Sequence, residues 1–178
     1  MKWSEGAIAR YLALYTFNRR CVVLVDRCGW TGHECDVLGV TTCLRVIDVE
    51  IKISRSDLKA DAKKQKWWHR IFTGYGEEVV TKAEPLDWPR MVWKHYYCVP
   101  RDIWDDSLFA CLPSKASGVL LIDDKGLRES MRIECVRRAK PNRDAARLEL
   151  GDVMNIARLA NLRMWDAYQR AGFYEVTA

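Results

Sequence analysis

The sequence predicts an α/β fold in which a mixed sheet is flanked by helices and carries a helical extension at its C-terminal end. Three observations predict it. Three strand patterns follow one another between residues 21 and 53, with helical patterns on either side. Further strand patterns at residues 94–99, 118–122 and 131–138 are interleaved with helical and turn sequence. Beyond Pro141 and Asn142 the chain carries Leu148, Ile156, Leu159, Leu162, Trp165 and Tyr168 with a helical pattern. A length of 178 residues supports one domain with a real core, or one domain plus an appendage. The division expected is residues 1–141 as the domain and 142–178 as a helical extension, packed on the same domain or on a second copy in a homodimer.

Each element has a local reason. Ser4 is placed to cap a first helix, and Ile8, Tyr11, Leu12 and Tyr15 recur at helical spacing until Asn18 and Arg19. Residues 21–25 read as a buried strand, and Gly29 and Gly32 mark the turn after it. Residues 34–40 and 43–53 read as the next two strands, joined by the polar link at Thr41 and Thr42 as a hairpin or meander. Ser54, with Asp57 three residues on, opens a second helix whose pattern runs to about Phe72. Residues 73–89, with Gly74, Gly76, Pro85 and Pro89, read as loop. A fourth strand is stopped by Pro100, and a short helix over residues 102–111 is ended by Pro113. A fifth strand turns at Asp124, Lys125 and Gly126 into a sixth that begins at Met131.

Composition excludes several classes. No stretch approaches the roughly 20 consecutive apolar residues of a membrane span, and Met1-Lys2-Trp3-Ser4-Glu5 lacks the layout of a signal peptide. The expectation is a cytoplasmic protein with no membrane partner. Seven cysteines, an odd number with no Cys-x-x-Cys pair, argue against a disulfide framework. Cys28, His33 and Cys35 do not have the spacing of a structural zinc site, and a fourth ligand is missing from the sequence around them. A net charge of +5 is mild, so its location matters more than its size.

The informative segment is the third strand. Side chains alternate across a strand, so Ile47, Val49, Ile51 and Ile53 share an apolar face while Asp48, Glu50 and Lys52 share the other. Glu34 and Asp36 share a face of the preceding strand in the same way, and antiparallel pairing would bring four carboxylates and a lysine to one patch. Such a cluster repels itself unless neutralised, and a hard divalent cation held by carboxylate oxygens is the usual solution. Lys52 would then orient a water or stabilise charge on a phosphate, which suggests metal-assisted phosphodiester hydrolysis. The alternative is a solvated strand face with cross-strand ion pairs.

The residues Glu34-Cys35-Asp36, followed by Glu50-Ile51-Lys52-Ile53-Ser54-Arg55-Ser56-Asp57-Leu58, resemble the PD-(D/E)XK nuclease superfamily, in particular its MmcB-like repair proteins and related phage-encoded proteins. Tyr96-Tyr97-Cys98-Val99-Pro100, Gly118-Val119-Leu120-Leu121-Ile122 and Arg137-Arg138-Ala139-Lys140 extend the likeness to about residue 140. The motif's proline is absent before Asp36. The resemblance implies a restriction-endonuclease-like fold and a Mg²⁺-dependent DNA nuclease, with Mn²⁺ as a substitute ion, acting in repair, recombination or phage DNA metabolism in a bacterial or phage-infected cell. It implies Asp36 and Glu50 as metal ligands with the backbone carbonyl of Ile51, Lys52 as the group serving the water, and Glu5 as an additional acid. Glu5 fits equally well as an acid favoured by the N-terminus of its helix. The rival reading is a DNA-binding or protein-interaction module that keeps the fold without cleaving.

Other matches to acidic-x-Lys, at Asp57, Asp61 and Asp123, fall on a predicted helix or turn and have no acidic strand upstream. At about 100° per residue, Arg55, Lys59, Lys63, Lys66 and Arg70 form one stripe of the second helix, suited to DNA phosphates or to plain solvation. Asp57 and Asp61 fall near its apolar side, as capping or buried paired groups. A second basic run from Arg128 to Arg147 follows later in the chain. Of eight tryptophans, most suit core packing, and Trp88 and Trp93 on the proline-flanked loop are candidates for base stacking. His33 is a turn histidine within reach of the Asp36 strand, and neither His69 nor His95 has a catalytic context.

Overall fold

The computed structural model describes residues 3–73, 80–123 and 132–172. α1 (Glu5–Tyr11) is capped by Ser4, whose hydroxyl accepts from the Ala7 N–H, and the chain continues as a π-helical turn over Leu12–Phe17. β1 (Cys21–Cys28), β2 (Cys35–Thr41) and β3 (Val46–Ile51) then pair as an antiparallel meander.

The second helix is shorter than the sequence predicts. α2 covers only Arg55–Ala60, 3₁₀ turns follow at Asp61–Lys63 and Gln65–Trp67, and Trp68–Thr73 forms strand β4, paired with β5 (Val80–Pro85) inside the expected loop. The cause is tertiary. Asp61 and Trp67 are both fully buried, and the Trp67 indole Nε1 donates to Asp61 Oδ2 at 3.0 Å. Six residues along a continuous helix would leave the two roughly 120° apart around its axis and about 9 Å apart along it. The chain therefore leaves the helix at Lys64, whose backbone is extended. The bulky sequence after it fits a pleated strand.

β6 (Val92–Pro100), β7 (Gly118–Asp123) and β8 (Arg132–Arg137) complete the sheet in the order β1-β2-β3-β6-β7-β8. β3 and β6, and β6 and β7, are parallel, and β8 is antiparallel to β7. The short helix expected between β6 and β7 is a pair of 3₁₀ segments, Arg101–Ile103 and Asp106–Cys111. Residues 142–149 are irregular rather than helical, and α3 (Leu150–Arg170) starts at a capping box formed by Glu149 and Asp152. Gly74, Gly76, the turn at Asp124, Lys125 and Gly126, Arg128 and Met131 lie outside the described residues.

One face of the sheet packs Val37, Ile47, Val49, Ile51, Cys98, Leu120 and Ile122 against Ile8, Leu12 and Phe17 of the N-terminal helix. Ile53, expected on this apolar face, lies past the end of β3 and is 40% exposed. The other face carries Tyr97, Val99, Val119 and Leu121 beneath Leu58, Trp67, Leu108 and Leu112. α3 seats Ile156, with Val153 and Ala160, against Val25, Leu38, Val40 and Val46, while Leu159, Leu162 and Trp165 turn to solvent. The extension thus packs on its own domain. No helix among the described residues is long and apolar enough to cross a membrane.

Candidate active site

The charged face of β3 is buried. Asp48, Glu50 and Lys52 are each at most 3% exposed, and the register sets Asp48 beside His95 and Glu50 beside Tyr97 on β6. The 61–67 segment closes over them and contributes Asp61, Lys64 and Lys66. Glu50 receives three ammonium groups: Lys52 at 2.9 Å and Lys64 at 3.2 Å on Oε2, and Lys66 at 2.5 Å on Oε1. Asp61 Oδ2 accepts from Tyr97 at 2.6 Å as well as from Trp67. Its Oδ1 lies 3.1 Å from Lys52 Nζ and 3.0 Å from Lys64 Nζ, charge partners that are not aligned as hydrogen bonds. Asp48, Glu50 and Asp61 therefore face Lys52, Lys64 and Lys66, and the acidic face is neutralised within the chain.

The electrostatics follow from this pairing. Burial alone would lower the Lys52 ammonium, but Glu50 and Asp61 outweigh it and hold the group well above the usual lysine range. Lys52 is thus a permanent cation, suited to donating and to stabilising negative charge, and unsuited to removing a proton. Burial would raise the Asp61 carboxyl, yet Lys66, the Tyr97 hydroxyl and Lys52 hold it below the usual range.

Asp36 has a different environment. The Ile51 N–H donates to its Oδ2 at 2.7 Å, and Asp36 and Ile51 line a cavity of about 250 Å³ with Glu5, Gly6, Ala9, Asp26 and Arg27. Burial, followed by the negative charges of Glu50 and Glu5, pushes the Asp36 carboxyl up to about 6. The four carboxylates expected on one patch are thus divided: Glu34 is exposed, Asp36 faces Glu5, and Asp48 and Glu50 turn into the lysine cluster. The reason lies in the strands. Arg27 has a φ of 45°, and near it Cys28 and Cys35 join the same core as Val25 and Leu38, three residues away along each strand. Strict alternation is broken there although the β1–β2 register runs on unshifted, and Asp36 is turned toward the Glu5 side of the sheet.

The basic stripe does not exist as predicted. Arg55, Lys59 and Lys63 are exposed on α2 and the turn after it, and Arg55 is engaged by Asp105 at 3.1 Å and by the Ile103 carbonyl at 2.6 Å. Lys66 is 3% exposed and belongs to the Glu50 cluster, 4.0 Å from Asp48 as well. Arg70 stands on β4 and not on a helix, and its side chain lies outside the described residues. The cause is the same early helix end at Lys64.

Sequence spacing does not find Lys64, Tyr97, Thr31 or His95. His95 is fully buried, its Nδ1 is 3.0 Å from the Ser117 hydroxyl, and burial lowers its imidazole to about 4 despite Asp48 nearby. His33 Nε2 lies 3.0 Å from Asp48 Oδ2, and its Nδ1 is 3.2 Å from the Thr31 hydroxyl. The sequence signals for this group are Asp48, two residues before Glu50 on the same strand face, and His33, a turn histidine beside the Asp36 strand. His33 also walls an open groove of about 750 Å³ whose lining includes Lys64, Lys66, Arg90, Trp68 and Trp88. Trp88 is held there by an indole hydrogen bond to the Lys140 carbonyl at 3.0 Å, whereas Trp93 instead packs beside Lys94 and the first core.

The sequence matches no family model and no curated protein. Its structure is similar to that of a protein of unknown function from Silicibacter pomeroyi, with a TM-score of 0.56 and 18% identity over 100% of each chain. At that identity the likeness is one of fold, and the fold shared is the mixed α/β sheet flanked by helices with its C-terminal helix.

Proposed function

We propose that the chain is a metal-dependent deoxyribonuclease that hydrolyses phosphodiester bonds. The observation that carries this reading is the meeting of Glu5 from α1, Asp36 from β2 and Ile51 from β3 around one cavity, with Lys52 one residue beyond. The donors there are carboxylate and carbonyl oxygens, which suit Mg²⁺ or Mn²⁺. Glu50 and Glu5 add negative charge at Asp36, which a cation there would offset. Glu5, Asp36 and the Ile51 carbonyl would hold the ion, with Glu50 joining only where Lys64 releases it, and the ion would supply Lewis acidity toward a phosphoryl oxygen and acidify a bound water. Lys52 remains protonated and places positive charge beside the site, where it offsets charge developing on phosphate. Lys64 is 48% exposed and is free to exchange Glu50 for a phosphate; Lys66 is enclosed. The groove beside Lys64 and Lys66, with Trp68 41% exposed on its wall, has the cations and the aromatic surface that a single strand uses.

One observation favours the second reading, a DNA-binding module without cleavage: Glu50 already has three lysine partners, so its face is stable without a cation. The deciding experiment measures cleavage of linear, nicked, branched and single-stranded DNA, and of RNA, with Mg²⁺ and Mn²⁺. Asp36→Asn and Glu5→Gln are the test variants, because Glu50→Ala would strand buried lysines at a cost of about 3–5 kcal/mol. Divalent-dependent cleavage that falls at least 100-fold in Asp36→Asn is expected. Cleavage undiminished in Asp36→Asn, or DNA binding with no cleavage under any ion, would reject the nuclease.

A further inference from the structure

On the buried face of β3, away from the Asp36 cavity, three chemically different ligands converge. His33 Nε2 is 3.0 Å from Asp48 Oδ2 and 3.6 Å from Cys35 Sγ, and all three ligand atoms lie within 4.8 Å of one another. A fourth group borders them: His95 Nε2 is 3.8 Å from Asp48 Oδ2. Two buried atoms of this set, Asp48 Oδ1 and His95 Nε2, have no hydrogen-bond partner among the described residues, although both residues are fully buried. A buried polar atom left unpaired costs about 1–3 kcal/mol. Two at one place point to a missing cation.

The second layer is arranged for metal ligation. Each imidazole has its Nδ1 held by a buried hydroxyl, Thr31 at 3.2 Å for His33 and Ser117 at 3.0 Å for His95, which leaves Nε2 directed at Asp48. Thr31 donates its own proton to the His33 carbonyl at 2.9 Å, so its oxygen accepts from His33 Nδ1–H. Nε2 then faces the Asp48 carboxylate with a lone pair unless a cation or a second proton stands between them. Ligands bound to a tetrahedral zinc at 2.0–2.3 Å are about 3.3–3.6 Å apart. The separations of 3.0, 3.6 and 3.8 Å bracket that value.

We propose that His33, Cys35, Asp48 and His95 form a structural zinc site that ties the turn after β1 to the centre of the sheet. Two imidazoles, a thiolate and a carboxylate are a borderline-soft set that prefers Zn²⁺ to Mg²⁺. Coordination releases the Cys35 thiol proton to solvent, so binding adds one net positive charge beside Asp48. The site is distinct from the nuclease cavity, because Asp36 and Glu5 contribute no ligand to it.

The test uses the full chain, stripped with a chelator and dialysed, then titrated with ZnCl₂ by calorimetry and with CoCl₂ by absorption. One equivalent of each is expected, with visible bands of tetrahedral cobalt and a thiolate-to-cobalt charge-transfer band. Cys35→Ser should lose the charge-transfer band, His33→Gln and Thr31→Ala should weaken binding at least 10-fold, and Asp36→Asn should bind unchanged. His33 is partly exposed, so His33→Gln remains informative where a core variant misfolds, and circular dichroism checks each fold. Absence of a saturable equivalent, an octahedral cobalt spectrum, or binding retained in both Cys35→Ser and His33→Gln would overturn the assignment. Loss of binding in Asp36→Asn would do so as well, by moving the ion to the other site.

Discussion

Asp36→Asn should make the protein more stable at neutral pH. Asp36 carries a carboxyl pushed from its ordinary 3.8 up to about 6 by burial and by the charges of Glu50 and Glu5. The folded state therefore holds a proton that the unfolded chain has already released. Stability from this group is fully present below about pH 4, declines as pH rises toward about 6, and is constant above. A displacement from 3.8 to about 6 corresponds to about 3 kcal/mol, which partial exposure to water reduces to about 1–2 kcal/mol. Asparagine keeps an oxygen to accept from the Ile51 N–H and removes the charge, so the variant should gain that amount above pH 6 and little at pH 4. Urea denaturation of both proteins from pH 4 to 7.5 measures the difference, and comparing the two cancels every group they share. Mg²⁺ should narrow the gap by stabilising only the native protein, and only where Asp36 is ionised. Equal stability at pH 7, or a gap independent of pH, would show that Asp36 is not held in a like-charged, desolvated site and would remove the physical basis for a cation there.

Lys66→Met should destabilise the fold by about 3 kcal/mol in chemical denaturation, because Glu50 then loses its shortest partner inside a buried cluster; an effect under about 0.5 kcal/mol would mean the network is not formed. Gly118→Ala should cost at least 1–3 kcal/mol, since a Cβ there would overlap the Tyr96 ring and approach the Ala139 backbone nitrogen to 2.7 Å; a thermal melt unchanged from the parent would contradict the register of β6 and β7. Ile156→Ala should cost about 2–4 kcal/mol because the side chain is fully buried against β1 and β2. A single cooperative transition shifted as a whole is expected, and selective melting of α3 would show that the extension folds apart from the domain.

What the sequence reveals follows from how far its signals reach. The β1–β3 meander is legible because alternation and the polar link at Thr41 and Thr42 are local signals. α1 is legible from Ser4 and the helical spacing that includes Ile8 and Leu12, the two residues of it that bury against the sheet. The helix continued to about Phe72 is wrong because propensity and charge spacing from Arg55 to Arg70 favour it while a tertiary pair, Asp61 with Trp67, forbids it. The lysine cluster has no local signature. Lys64 and Lys66 are 14 and 16 residues from Glu50, and only the end of the helix at Lys64 turns them toward it. The strand face carrying Asp48, Glu50 and Lys52 is correctly singled out as needing neutralisation, but the agent is not readable from one strand. Asp61 is readable as a buried paired group from its place near the apolar side of the helix pattern, and it is fully buried.

The division of the carboxylates carries a consequence for how a cation reading should be judged. A buried carboxylate needs a positive partner, and for Glu50 and Asp61 the chain supplies lysines, so their burial is no argument for a metal ion. Asp36 has no ion pair among the described residues, accepts a single backbone N–H, and stands near two further negative charges. Among Asp36, Glu50 and Asp61, it is the one carboxyl for which the chain provides too little positive charge. Demand for a hard cation is thus located at Asp36 and Glu5, and Glu50 joins only to the extent that Lys64, the most exposed of its partners, gives way. The acidic-x-Lys pattern at Glu50 and Lys52 is by itself satisfied as a structural ion pair; catalysis has to be argued from the strand before it, where the alternation breaks and an acid is turned toward the first helix.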